Sequence, residues 1–222
     1  MNLPDSLLPP AWQWLGWGLF LATLAAAAIR ASWHSLVTDN TRSHVWLGTI
    51  VTLTLLWSLK AGVLPGLDLH FLGAMVFTLE SGPWFAFLGM SLVLAGITLN
   101  GAAGWESFGL NAMLMIALPV FLAHAIYRFN HRRLSQNLFV FIFANGFFGA
   151  ALTVLTTGAA ATAVLVLTGA YPAGKLLEEY LPYFLLLCFA EAWLSGMVVT
   201  LLVVYRPRWI ATFDDSLYLA KK

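Results

Sequence analysis

The 222-residue chain is 60% hydrophobic and 9% charged, whereas about a quarter of the residues in a soluble domain are charged, so an ordinary water-soluble globule is excluded. Its 11 Lys and Arg against 10 Asp and Glu provide no basic field of the kind nucleic-acid binding requires. A lone cysteine, Cys188, within an apolar run excludes a disulfide framework and a cysteine zinc cluster.

The chain opens with Met1 to Pro10 (MNLPDSLLPP), which has three prolines and no Lys or Arg. A secretory signal starts with positive charge followed by an apolar stretch, so this segment is expected to be retained. Apolar runs then follow at Ala11 to Ala31, Val45 to Leu64, Leu69 to Leu79, Pro83 to Leu99, Asn111 to Tyr127, Leu138 to about Leu167, and Tyr180 to Tyr205. A helix crossing the roughly 30 Å hydrocarbon layer needs about 20 such residues. The third run is too short to span as helix, since at 1.5 Å per residue it reaches only about half that depth. Before it, Gly62 to His70 carries the glycines and proline expected of non-helical chain dipping inward, which membranes tolerate only where protein or a cavity satisfies the backbone. The sixth run is longer than one span and contains Asn145, Gly146 and Gly149, so it is expected to kink or tilt.

An alternating path through these runs places Arg30, Arg42, Arg128, Arg132, Arg133, Arg206, Arg208, Lys221 and Lys222 on one side and only Lys60 and Lys175 on the other. Cytoplasmic loops accumulate Lys and Arg. The expected fold is therefore an all-α integral membrane protein. It is a bundle of about seven hydrophobic segments, one short or broken, with the N-terminus outside and the C-terminus cytoplasmic. Residues 1–205 form one polytopic domain with an external segment at 1–10, and 206–222 form a cytoplasmic tail.

Polar residues in such a chain are expensive. His34, His44 and His131 fall in loops and read as solvated, and His124 reads as an interfacial residue near a helix end. His70 opens the short segment on the same side as Met1, Asn2 and Asp5, and is equally a ligand or a satisfied core histidine. Glu191 lies well within the last span, where a carboxylate costs about 2.5–3.5 kcal/mol on insertion scales. Either a polar contact between helices or a role in gating or ion passage explains it. Asn100, Asn111 and Asn145 suit side-chain bridges between helices, with Asn111 the most open to a functional role. Ala22, Ala25, Ala26 and Ala28 form a smooth strip suited to packing within the chain or against a partner helix. Trp12, Trp14, Trp17, Trp33 and Trp46 read as interfacial anchors.

Met1-Asn2-Leu3-Pro4-Asp5, Leu69-His70-Phe71-Leu72-Gly73-Ala74, Gly82-Pro83-Trp84, Gly109-Leu110-Asn111, Glu191-Ala192-Trp193-Leu194-Ser195-Gly196 and Arg206-Pro207 occur in that order. Together they resemble the CbiM/NikM substrate-capture proteins of energy-coupling-factor cobalt and nickel transporters, across nearly the whole chain. The resemblance implies a metal held by the N-terminal amine of Met1, by the backbone nitrogen and side chain of the second residue, and by His70. Amine and imidazole nitrogens suit nickel, cobalt or copper. At position two the family has histidine and this chain has Asn2. Either the site changes metal or geometry, or Asp5, Asp68 or the Met1 thioether fills the gap, or metal capture has been lost. Asn111 and Glu191 join Asp5 and Asp68 as residues expected to support the site or gate it.

The resemblance further implies a multi-pass protein of the bacterial inner membrane that captures nickel or cobalt, with copper and zinc as alternatives. It would work with a transmembrane coupling protein, cytoplasmic ATPase subunits and a small membrane accessory subunit. A Walker-type phosphate loop is absent, so energy must come from elsewhere. The competing reading is a diverged scaffold that delivers metal to, or assembles, another membrane protein without driven uptake. No hydrolase motif of the Gly-x-Ser-x-Gly or His-Glu-x-x-His kind occurs, so an enzyme is not expected.

Overall fold

The computed structural model describes residues 2–218. A short 3-10 turn, Asp5–Leu7, leads into α1 (Pro10–Arg30), whose first position is a proline that lacks only an N–H the helix leaves unused. The short α2 (Trp33–Thr38) precedes α3 (Asn40–Ser58), which is capped by the Asp39 carboxylate accepting from the amides of Thr41 and Arg42. Next comes an antiparallel hairpin of β1 (Ala61–Leu64) and β2 (Leu67–Leu69), in which Ala61 faces Leu69 and Gly62 faces Asp68. Gly66 turns it at φ 77°. The expected irregular inward loop is thus replaced by a small sheet, whose ladder satisfies its own backbone groups.

After the hairpin, α4 (Ala74–Ser81) is only eight residues long and almost wholly buried. It begins later than the expected Leu69 because Leu69–Gly73 is strand and extended chain. Gly82, at φ 80°, separates it from α5 (Pro83–Leu99). The helix α6 (Phe108–Arg133) widens to π geometry over Met113–Ala117, just before Pro119, which cannot donate to the helical ladder. A second π stretch, Phe141–Phe147, lies in α7 (Leu138–Leu167). There Asn145 is buried and accepts from Asn130 Nδ2 at 2.9 Å. The long sixth segment is therefore one helix with a locally rewound turn around its asparagine. The chain continues through α8 (Ala173–Glu179), α9 (Leu181–Tyr205), a turn at Pro207–Trp209 and α10 (Asp215–Tyr218).

Among the described residues, Pro10–Arg30, Phe108–Arg133, Leu138–Leu167 and the joined stretch Ala173–Tyr205 are long and apolar enough to cross a membrane. Trp14, Leu21, Ile29, Leu55, Phe148, Leu186 and Phe189 all point outward and exposed. An apolar surface of this kind suits lipid rather than water. Inside, α9 packs along α7, α1 along the start of α6, and α3 along α5, with α4 enclosed between α5, α6 and α7.

The chain after α9 folds back under α4. Thr212 N and Oγ1 donate to Leu79 O at 3.2 and 2.7 Å, and Ala211 N donates to Glu80 O at 2.9 Å. These bonds satisfy carbonyls that the end of a short buried helix would otherwise leave orphaned. Trp46, expected at the interface, is instead core. It is buried, and its indole donates to Phe85 O at 2.9 Å.

Candidate metal site

Two glycines bring the N-terminal segment into the bundle. A Cβ on Gly109 would lie 2.4 Å from Trp17 N, and one on Gly16 would lie 2.5 Å from Leu110 N. Only backbone-to-backbone contact fits there, so α1 and α6 cross at minimal separation. That crossing presents Asn111 to the chain ahead of α1. Asn111 Oδ1 accepts from Leu3 N at 2.9 Å, and its Nδ2 donates to Leu3 O at 3.0 Å and to Ser107 Oγ at 3.2 Å. The amide thus pairs with Leu3 as a neighbouring strand would, with both residues fully buried. Asp5 fixes the next turn, its carboxylate accepting from Ser107 N at 2.8 Å. Pro4 packs against the hairpin turn at Gly66. The N-terminal segment is therefore held between α6 on one side and the hairpin on the other, with Asn2 buried.

The hairpin delivers His70. Its ring is buried and lies against Trp57, with centroids 4.5 Å apart and planes tilted by 41°. Trp57 is itself buried and donates from its indole to Leu72 O at 3.2 Å. His70 Nδ1 lies 2.9 Å from Phe71 O. A carbonyl oxygen only accepts, so Nδ1 carries the proton and Nε2 keeps its lone pair. Nε2 is buried and meets no partner among the described residues, and the same is true of Asn2 Oδ1. Buried polar atoms are nearly always paired, so two such orphans, on the segments packed together here, require an explanation.

Glu191 reaches from α9 to the loop after His70. Its two oxygens accept from Leu72 N at 2.9 Å and Gly73 N at 2.7 Å, and Ser195 Oγ lies 3.5 Å away. Gly73, at φ 68°, adopts the left-handed turn that aims both amides at the carboxylate. The buried carboxylate holds backbone, and thereby the position of His70.

The structure thus ties Asp5 and Asn111 to the N-terminal segment that carries Asn2, and Glu191 to the loop that follows His70. Asp68 is turned elsewhere, paired with Lys60 Nζ at 2.5 Å. Met1 lies outside the described residues. Among the described residues no group of three or more His, Cys, Asp or Glu side chains is arranged to hold a metal. Trp57, Ser107 and the Gly16–Gly109 crossing escaped the sequence reading, because only their partners in space give them meaning. Glu80 escaped it too. This second buried carboxylate accepts from Thr49 Oγ1 at 2.7 Å, and an acidic residue before Ser-Gly-Pro reads as turn.

Comparison with known proteins agrees with the fold. The CbiM family, described as the cobalt uptake substrate-specific transmembrane region, matches residues 2–209. The chain is similar to the crystal structure of a truncated transition metal transporter, with a TM-score of 0.77 at 18% identity over 92% of this chain and 99% of that one. It is also similar to the crystal structure of a transition metal transporter, with a TM-score of 0.75 at 18% identity over 91% and 92% of the two chains. A search of curated proteins finds no match.

Proposed function

The chain belongs to the CbiM family, the cobalt uptake substrate-specific transmembrane region, and on that premise we propose that it is the substrate-capture subunit of an energy-coupling-factor uptake system for a divalent transition metal. It is a multi-pass membrane protein and a transport component rather than an enzyme.

The observation that carries the proposal is a pair of buried atoms without a partner among the described residues, His70 Nε2 and Asn2 Oδ1. The hydrogen bond at Nδ1 leaves Nε2 in the form that binds metal and fixes the ring's orientation. Together with the Met1 amine and the Asn2 backbone nitrogen, Nε2 would supply three nitrogen donors and the Asn2 amide a harder oxygen. Nickel, cobalt and copper suit the nitrogens, and the substituted oxygen widens the range to zinc. Asp5 and Asn111 hold the N-terminal segment in register, and Glu191 holds the loop that carries His70. Asp68 braces the hairpin through Lys60.

The nine-to-two division of Lys and Arg supports an external N-terminus and a cytoplasmic C-terminus, with residues 206–222 as the tail and residues 1–205 as one membrane domain across about seven segments. Capture would then occur at the outer face. Without a phosphate loop of its own, the chain depends on a transmembrane coupling protein and cytoplasmic ATPase subunits, and a small membrane accessory subunit fits the same assembly. Ala22, Ala25 and Ala28 face outward on α1, uncovered by the rest of the chain. This strip offers a partner helix close approach.

The test is metal content of the purified protein. His70→Ala, or an N-terminal extension that buries the amine in a peptide bond, is expected to remove bound metal, and Asn2→His to raise nickel or cobalt occupancy. Binding should weaken in acid as the amine and imidazole protonate. Unchanged stoichiometry in the first two variants rejects the site. Cellular uptake measured with and without coupling subunits distinguishes driven transport from metal delivery without uptake, which Asn2 keeps as the second reading.

A further inference from the structure

A cleft of about 610 Å³ runs between α3 and α9, floored by Val76 and Glu80 of α4 and bounded at one end by Trp209. Its length along α3, from Thr41 to Leu56, is about 22 Å at 1.5 Å per residue. That equals one leaflet with its headgroup zone, half of a bilayer about 40–45 Å thick. Leu53, Leu56, Leu194 and Val198 give the middle of the cleft an aliphatic wall, which Glu191 and Ser195 interrupt.

The end at Glu80 is different. Glu80 is 7% exposed, and while Oε2 takes the Thr49 hydroxyl, Oε1 is covered and has no partner among the described residues. The terminal carboxylate torsion is broad, so a small turn about χ3 presents Oε1 to the cleft. A buried carboxylate without a cation is costly, yet no Lys or Arg among the described residues pairs with it. Arg42 and Arg208 line a smaller cavity that adjoins the cleft and shares Thr41, Val45, Glu80 and Trp209 with it. One end of the cleft thus presents a carboxyl group beside two arginines, and beyond it the wall is mainly aliphatic, with Thr52, Glu191 and Ser195 as its polar members.

We infer that this cleft holds a single aminophospholipid, in the leaflet that contains Arg42 and Arg208. The ammonium donates to Glu80, the guanidinium groups bind the phosphate, and an acyl chain lies along Leu53, Leu56 and Val198. Charge complementarity selects a zwitterionic headgroup with hydrogen-bond donors on its nitrogen. Phosphatidylcholine, whose nitrogen is fully methylated, lacks the donors, and phosphatidylglycerol lacks the cation. A partner helix fits less well. Its side chains would have to meet Glu80 and the two arginines with a cation and an anion at membrane depth, which spans rarely carry. The inference does not rest on the metal reading: the polar contacts of Glu80 are to Thr49 and Ala211, although Glu191, which holds the loop after His70, also lines the cleft.

The test is competition among phosphatidylethanolamine, phosphatidylcholine and phosphatidylglycerol for the delipidated full chain in detergent, with retained lipid read by native mass spectrometry. Wild type is expected to retain phosphatidylethanolamine at least tenfold over the other two. Glu80→Gln keeps an acceptor for Thr49 and is expected to lose that preference, with bound metal unchanged. The double substitution Arg42→Ala and Arg208→Ala is expected to lower retention of all three lipids. Equal retention of the three by wild type overturns the inference without any variant. So does an unaltered preference in Glu80→Gln, or a disulfide from Leu56→Cys to a coupling subunit that forms in intact membranes and excludes lipid.

Discussion

Replacing Glu191 with alanine tests whether this carboxylate is a structural clamp or a gate. The substitution leaves Leu72 N and Gly73 N, now 2.9 and 2.7 Å from carboxylate oxygens, without acceptors. Each orphaned donor in a buried setting costs about 1–3 kcal/mol, so the pair costs about 2–6 kcal/mol. At about 2–4 °C per kcal/mol for a chain of this size, the melting midpoint falls by at least ~4 °C. Glu191→Gln keeps one acceptor and turns an amide NH2 toward the other N–H, and should lose about half as much stability. The consequence at the site is specific. The amides released belong to the loop that follows His70, whose Nδ1 bonds to Phe71 O, so bound metal should fall as it does in His70→Ala. Thermal unfolding by tryptophan fluorescence and metal analysis of the purified variants read both effects. An unchanged midpoint with altered transport alone would refute the clamp and return Glu191 to gating.

Three further outcomes are expected. Gly109→Ala puts a methyl 2.4 Å from Trp17 N, where backbone cannot yield. It should cost about 1–3 kcal/mol in thermal unfolding and loosen the N-terminal segment. Asn111→Asp retains an acceptor for Leu3 N but loses the donor to Leu3 O and faces that carbonyl with negative charge. Hydrogen exchange in residues 2–8 should accelerate while the α7 and α9 amides stay protected. Gly73→Ala meets Leu53 Cδ2 at 2.4 Å and keeps a φ of 68°. Adding Leu53→Ala should relieve the collision and leave the left-handed strain of about 1–2 kcal/mol, so the rescue is partial by melting midpoint.

Much of the architecture was legible along the chain because hydropathy is a local property. The runs Ala11 to Ala31 and Pro83 to Leu99 coincide with α1 and α5 to within a residue. The second run overreached at its end. Its apolar residues after Ser58 belong to the hairpin, and a short strand with apolar side chains cannot be told from helix by hydropathy alone. Trp46 failed for a related reason, since an indole near a helix end suits both an interface and a core with a carbonyl to receive its N–H. The tail was expected as a cytoplasmic extension, and its described part caps α4, a contact hydropathy does not report.

Composition and the order of the motifs determined that this is a polytopic membrane protein of a metal-transport family, and they singled out Asn2, His70, Asn111 and Glu191. What Asn111 and Glu191 bond to was decided in three dimensions. Leu3 and Asn111 meet across 108 positions, and Leu72 and Glu191 across 119. Hydrogen-bond satisfaction is a property of such pairs, and a polar residue in an apolar run carries no mark of its partner. The free Nε2 of His70 and the orphaned oxygen of Glu80 emerge only once the neighbours of each are known in space.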